Sequence, residues 1–238
     1  LTPHSPDPVV TPVVKPVPLR PLRLALAVAA APGAALAQSA GSWLVRLGAT
    51  QIKPEVTSGE LSAPSVAGSK IDIASDTQPT AGVTYMLSER WSLDLPLSAG
   101  FKHDVLAAGA IAGAGRLGEV KALPVTLLLQ WRYGGAEDTL RPYVGIGPTY
   151  AYLYDAQSTA ALSALTGGTP ARPTLLEMES KLTYTVQLGL AWRFAPRWGL
   201  DVAVTKTPLK TTGTLSTGQT IEAKLDPLSA LLGISYRF

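Results

Sequence analysis

The chain is predicted to be all-β, an eight-stranded antiparallel transmembrane β-barrel in which one end carries short turns and the other long loops. Three observations lead there. Apolar residues alternate with polar or small ones at period two in eight separate segments, the pattern of strands with one face in lipid. The last of these segments puts Leu228, Ala230, Leu232, Ile234, Tyr236 and Phe238 on one face and ends on aromatic residues, whereas a soluble domain that ended so would leave an apolar edge open to pairing. Connections alternate short and long, and apart from one short apolar run near the start no stretch is long and apolar enough for a spanning helix, so a membrane protein of this sequence must be a barrel.

Each strand is read from its outward face. The first presents Trp43, Val45 and Leu47; the second Ala81, Val83, Tyr85 and Leu87; the third Trp91, Leu93, Leu95, Leu97 and Phe101. The fourth has Leu123, Val125, Leu127, Leu129, Trp131 and Tyr133, and the fifth Val144, Ile146, Tyr150 and Tyr152. The sixth has Leu182, Tyr184, Val186, Leu188, Leu190, Trp192 and Phe194, the seventh Trp198, Leu200, Val202 and Val204. An even number of strands closes a small barrel. The tight connections are 88–90, 134–140 and 195–197, and aromatics gather beside them at the strand ends, a girdle at one interface. Short turns face the periplasm in outer-membrane barrels, so both termini are expected there, with Tyr150, Tyr152 and Tyr184 as a weaker outer belt. The alternative, a soluble barrel with an apolar inside, gives no reason for seven aromatics at one rim.

Residues 1–37 read as a secretory presequence. Lys15, Arg20 and Arg23 precede the apolar run Leu24 to Ala31, and Ala35-Leu36-Ala37 is a small-residue cleavage site. Pro32 and Gly33 interrupt the run short of a transmembrane span. The Pro-rich stretch from Pro3 to Pro21 is longer than a usual n-region, pointing to a start codon downstream of Leu1. Residues 38–238 form one barrel domain. The formal charge of +3 falls to +1 without the presequence, and charges are scattered, so no nucleic-acid partner is expected. There is no cysteine, which excludes disulfides, thiolate metal sites and cysteine nucleophiles.

The inward parity divides in two. Toward the short-turn end lie Arg46, Asp94, Gln130, Arg132, Arg193, Asp201 and Arg237, two carboxylates among four guanidinium groups, expected to pair bidentately into a polar plug. Toward the long loops lie Val120, Ala122, Pro124, Ala151, Leu153, Ala223, Leu225, Pro227 and Leu231, interleaved with Thr80, Thr84, Ser98, Thr126, Thr149 and Thr183. The loop from Val105 to Gly118 is placed to wall the mouth. Two interiors remain open on this pattern: an apolar cup that takes a hydrophobic solute, or side chains packed solid in a structural, receptor or adhesin barrel acting through its loops. Gly82, Gly100, Gly145, Gly147, Pro96, Pro124, Pro148 and Pro227 mark places where the wall is weakened for a sideways exit, or where bulges curve it.

Several segments resemble the outer-membrane protein W family. These are Val45-Arg46-Leu47-Gly48 with Pro54, Phe101-Lys102-His103, Leu123-Pro124-Val125-Thr126-Leu127 leading to Gln130-Trp131, Arg141-Pro142-Tyr143-Val144-Gly145-Ile146-Gly147, Leu225-Asp226-Pro227, and Gly233-Ile234-Ser235-Tyr236-Arg237-Phe238. They run in order over almost the whole mature chain, departing at Gly100 and Val125, where the family has proline. The resemblance implies an eight-stranded barrel in the outer membrane of a Gram-negative bacterium, with a hydrophobic interior channel, passage of small hydrophobic molecules and use as a surface receptor. The expected partners are bilayer lipids, small hydrophobic solutes and extracellular proteins that meet the loops.

Other chemistry finds little support. His103, beside Asp104, is the one histidine after the presequence, without a nucleophile-elbow pattern, and reads as a loop anchor or interfacial residue, so no enzyme is expected. One histidine without cysteine makes no transition-metal site. Gly109 to Gly118 lacks the Lys-Ser/Thr ending of a phosphate loop. No cofactor is expected.

Overall fold

The computed structural model describes residues 40–238; the presequence lies outside them. Fifteen strands are present among the described residues: β1 Trp43–Lys53, β2 Thr57–Ser58, β3 Ser69–Ile73, β4 Asp76–Met86, β5 Trp91–Ser98, β6 Phe101–Gly109, β7 Arg116–Thr126, β8 Leu128–Arg132, β9 Leu140–Ser158, β10 Leu176–Met178, β11 Lys181–Arg193, β12 Trp198–Lys206, β13 Lys210–Leu215, β14 Thr220–Lys224 and β15 Leu228–Arg237. One helix, α1 Ala160–Thr166, and a 3-10 turn, Ala112–Ala114, complete them.

Antiparallel pairing runs β1-β4-β5-β8-β9-β11-β12-β15 and returns from β15 to β1, closing the barrel with eight staves. Closure satisfies the backbone within the lipid, where no water is available to it. Broken labels belong to continuous staves: β3 leads into β4, β5 into β6, and β7 into β8. The alternation predicts the lipid face well. Leu47, Leu182, Leu188 and Leu232 are all at least half exposed, while their strand neighbours Arg46, Thr185, Gln187 and Gly233 point in and are buried. At the short-turn end Trp43 lies on Tyr85 (ring centroids 4.7 Å) and Tyr236 on both Trp198 and Phe238 (4.8 and 4.9 Å). Tyr150, Tyr152 and Tyr154 stack in a row toward the other end. Phe238 N–H donates to Trp43 O, so the barrel's two ends meet at the short-turn rim.

Two expectations need correction. The segment from Val105 to Gly118 is mostly hairpin rather than loop: β6 and β7 run on beyond the barrel as a paired arm, with β3 on its other edge. Phe101 does not face lipid. It is 2 % exposed and turned inward, because Gly100 adopts φ +91°, inserting a residue out of step with the pleat and reversing the parity of the rest of β6. Above the barrel, β10, β13, β14 and β2 form a second, four-stranded sheet, and α1 packs Leu162 against Val105, Leu117, Leu153, Leu176 and Leu215 in a small core. The long loops thus build a folded headpiece.

Candidate functional site: a cavity above a buried polar layer

Just inside the short-turn end, side chains from seven staves cross the lumen. Arg46 lies between the two carboxylates, Nη2 at 3.3 Å from Asp94 Oδ2 and Nη1 at 3.4 Å from Asp201 Oδ1. Thr84 Oγ1 donates to Asp94 Oδ1 (2.5 Å) and Tyr143 Oη to Asp201 Oδ1 (2.8 Å). Arg132 donates through Nη2 to Gln130 (2.7 Å) and through Nε to Ser92 (3.2 Å), and its guanidinium sits 4.7 Å over the Tyr143 ring. Gln130 passes the chain on to Gln187 (2.7 Å). Tyr143 reaches this position because Gly189 faces it: a Cβ there would come within 2.1 Å of the ring.

The sequence expectation of four arginines pairing bidentately with two aspartates is corrected in detail. Of those four arginines Arg46 alone meets the carboxylates, one nitrogen to each. Arg132 lies within the layer on neutral partners. Arg193 and Arg237 lie lower, at the turns: Arg193 pairs with Glu137 (3.0 Å) and Arg237 donates to Pro196 O (2.6 Å). Two aspartates suffice for one guanidinium, and the rim arginines are held by turn residues nearer to them. Tyr143 and Arg141 also point inward and are buried, on the parity that Val144 and Ile146 set for their strand, a signal present in the sequence.

Above the layer opens a cavity of about 140 Å³. Eight of the nine upper-lumen residues line it: Val120, Ala122, Pro124, Ala151, Leu153, Leu225, Pro227 and Leu231. Ala223 is buried with Ile73, Ala151, Leu209 and Leu225 and is not part of the lining. Ile52, Ile73, Leu128, Met178 and Leu209, which the alternation did not single out, add apolar surface, as does Phe101, which it had turned to the lipid. Threonines that would otherwise roughen this wall satisfy one another in a chain, Thr126 to Thr149 (2.9 Å), Thr149 to Thr185 (2.6 Å) and Thr185 to Thr207 (2.7 Å). Their hydroxyls are spent, which leaves methyl groups to a guest. Met178 also lines a smaller apolar cavity of about 40 Å³ inside the headpiece.

His103 is a loop anchor. It is buried at the cavity mouth, outside the apolar belt, with Nδ1 2.8 Å from Ala74 O. Burial lowers its pKa below 6.5, against the raising effect of that bond and of Asp76, so it is neutral at pH 7. Gln78 and the Thr77 and Lys102 N–H groups hold the Asp76 carboxyl below its usual range, against its partial desolvation.

Among the described residues the barrel ladder is interrupted between β11 and β12, where pairing stops at Val186–Lys206 and is taken up again by β10 and β13 at Met178–Gly213, and also between β5 and β8. Between β5 and β8 pairing stops at Asp94–Leu128, and it resumes above, between β6 and β7, at Phe101–Ala122. Among the described residues, 95–100 and 123–127 are not joined in a ladder, though each side stays paired to its outer neighbour. Pro96, Gly100 and Pro124 lie in this stretch. The other marked residues do not: Gly145, Gly147 and Pro148 are paired to β11, Gly82 lies between β1 and β5 against Arg46, and Pro227 follows the last loop.

Comparison with known proteins supports one family. A family model described as OmpW family matches residues 39–238. The chain is 25% identical to outer membrane protein W of Vibrio cholerae serotype O1, over 90% of this chain and 97% of that protein. It is 27% identical to outer membrane protein AlkL of Ectopseudomonas oleovorans, over 83% of each. The crystal structure of OprG from Pseudomonas aeruginosa superposes with a TM-score of 0.74 at 25% identity, over 84% of this chain and 97% of that one.

Proposed function

The chain belongs to the OmpW family of outer-membrane proteins, and we propose that its barrel gives small hydrophobic molecules passive passage through that membrane. The observation that carries this reading is the apolar cavity of about 140 Å³ directly above a buried ionic layer. An apolar cavity of roughly 150 Å³ stays dry and takes up a benzene-sized guest. Solute enters through the headpiece, rests against Val120, Ala122, Leu153 and Leu225, and is stopped below by Arg46, Asp94 and Asp201. Release is sideways into the bilayer. What supports that route is the unjoined stretch beside Pro96 and Pro124, because proline has no N–H to give to a ladder.

Replacing Leu225 and Ala122 with Asp puts charge into the cavity without touching the lipid face. Uptake of a hydrophobic substrate by cells carrying this variant should fall severalfold while the folded barrel remains in the membrane; unchanged uptake would rule the cavity out as the path. The competing reading, a receptor or adhesin working through its loops, draws on the folded headpiece of α1 and the four-stranded sheet. Trimming 160–175 separates the two, since a receptor loses its partner whereas a transporter changes its rate.

A further inference from the structure

On the far side of the ionic layer, at the short-turn mouth, a third, basic pocket is lined by Arg141, Arg193, Arg197 and Arg237 with Thr139 and Ser235 between them. Its acidic neighbours are already engaged. Glu137 takes Arg193 on both its carboxylate and its carbonyl, and Asp138 accepts the Gly135 N–H at 2.8 Å. Arg197 stands at the rim with its Nη1 3.2 Å from Tyr236 Oη, and its carbonyl receives the Arg237 N–H.

Arg237 is the anomaly. Its side chain is 5 % exposed, Nη2 donates to Pro196 O, and Nε and Nη1 have no hydrogen-bond partner. The charges near it are Arg193 and Arg197, which repel it, and Glu137, which is shared with Arg193. A buried guanidinium with unspent N–H groups in a pocket of positive excess is costly unless an anion completes it. Guanidinium N–H groups suit the oxygens of phosphate and carboxylate, and the Thr139 and Ser235 hydroxyls supply further donors at the same mouth.

We propose that this pocket is a binding site for a phosphate-class oxyanion on the periplasmic side of the barrel. Two sources share that chemistry, a free phosphate-like anion of the periplasm and the headgroup of an inner-leaflet phospholipid. The second is within reach because Trp192 and Trp198, which also line the pocket, belong to the interfacial girdle. The site is separated from the hydrophobic cavity by the ionic layer and does not depend on the transport reading.

The test uses the refolded barrel in a non-ionic, phosphate-free detergent at fixed ionic strength. Inorganic phosphate is titrated calorimetrically, and bound phosphatidylglycerol is compared with uncharged diacylglycerol by native mass spectrometry. Saturable phosphate binding that Arg237→Gln weakens by about tenfold or more supports the site with a free anion as ligand. Phosphatidylglycerol retained in preference to diacylglycerol, and lost in Arg237→Gln, with no response to free phosphate, supports it with a lipid headgroup as ligand. Glu137→Gln, a change at an exposed turn, releases Arg193 and should tighten whichever ligand binds by severalfold, which keeps the test open if Arg237→Gln fails to fold. No binding of either probe, or binding indifferent to both substitutions, overturns the proposal.

Discussion

Arg46→Ala should destabilise the barrel more than Asp201→Ala, although each removes one partner of the same contact. Arg46, Asp94 and Asp201 are 3 %, 0 % and 4 % exposed, and the guanidinium reaches each carboxylate through a separate nitrogen. Taken alone the three carry one excess negative charge. Loss of Asp201 leaves a neutral Arg46–Asp94 pair; its cost is one long ion contact of 3.4 Å and an orphaned Tyr143 hydroxyl, about 2 kcal/mol. Loss of Arg46 leaves two buried carboxylates with only the Thr84 and Tyr143 hydroxyls to stabilise them, in the class of broken buried pairs that cost about 3–5 kcal/mol. Urea titration of the folded fraction in liposomes, read as the mobility of unheated protein on a gel, measures both. If Asp201→Ala costs as much as Arg46→Ala or more, the charge balance is not what organises this layer, and packing of Tyr143 would have to replace it as the explanation.

Planar-bilayer recordings should show little current through the native barrel and more through Asp94→Ala or Asp201→Ala; steady ohmic current in the native protein would mean that the lumen is open end to end. Gly189→Ala drives a methyl into the Tyr143 ring and should cost roughly 2 kcal/mol by overpacking, with loss of the Tyr143–Asp201 bond visible as changed tyrosine fluorescence. His103 has a folded pKa below its unfolded 6.5, so its contribution is whole above that pH and is lost as pH falls through the folded value. Protection at 71–76, taken as hydrogen exchange corrected for its intrinsic pH dependence, should accordingly fall between pH 7.5 and pH 5 in the native protein and change less in His103→Gln. Thr159 caps α1 through Leu162 N–H, and Thr159→Ala should loosen the headpiece by about 1 kcal/mol, seen as faster proteolysis within 160–175 while the barrel stays resistant.

The lipid face was legible residue by residue, because period-two alternation is a local property and lipid on one side leaves no other arrangement for Leu182, Leu188 or Ile234. The same parity put most of the named residues on the inner side of the wall, but Ala223 lies outside the cavity lining, and Thr84, expected toward the long loops, bonds to Asp94 in the lower polar layer. It failed where the pleat is broken: Phe101 and His103 turn inward because Gly100 adopts a left-handed conformation, and a string of letters does not show that one residue has slipped out of register. Folding of the long loops was equally hidden. The β6–β7 arm, α1 and the four-stranded sheet depend on contacts between segments far apart in the chain, such as Leu162 on Leu117 and Leu215. Alternation determined which side chains enter the barrel; which of them meet was decided by the stagger of the staves. That stagger gave both aspartates to Arg46, dropped Arg193 and Arg237 to the turns, and set Tyr143 opposite a glycine, because strand register is a property of the closed barrel rather than of any one strand.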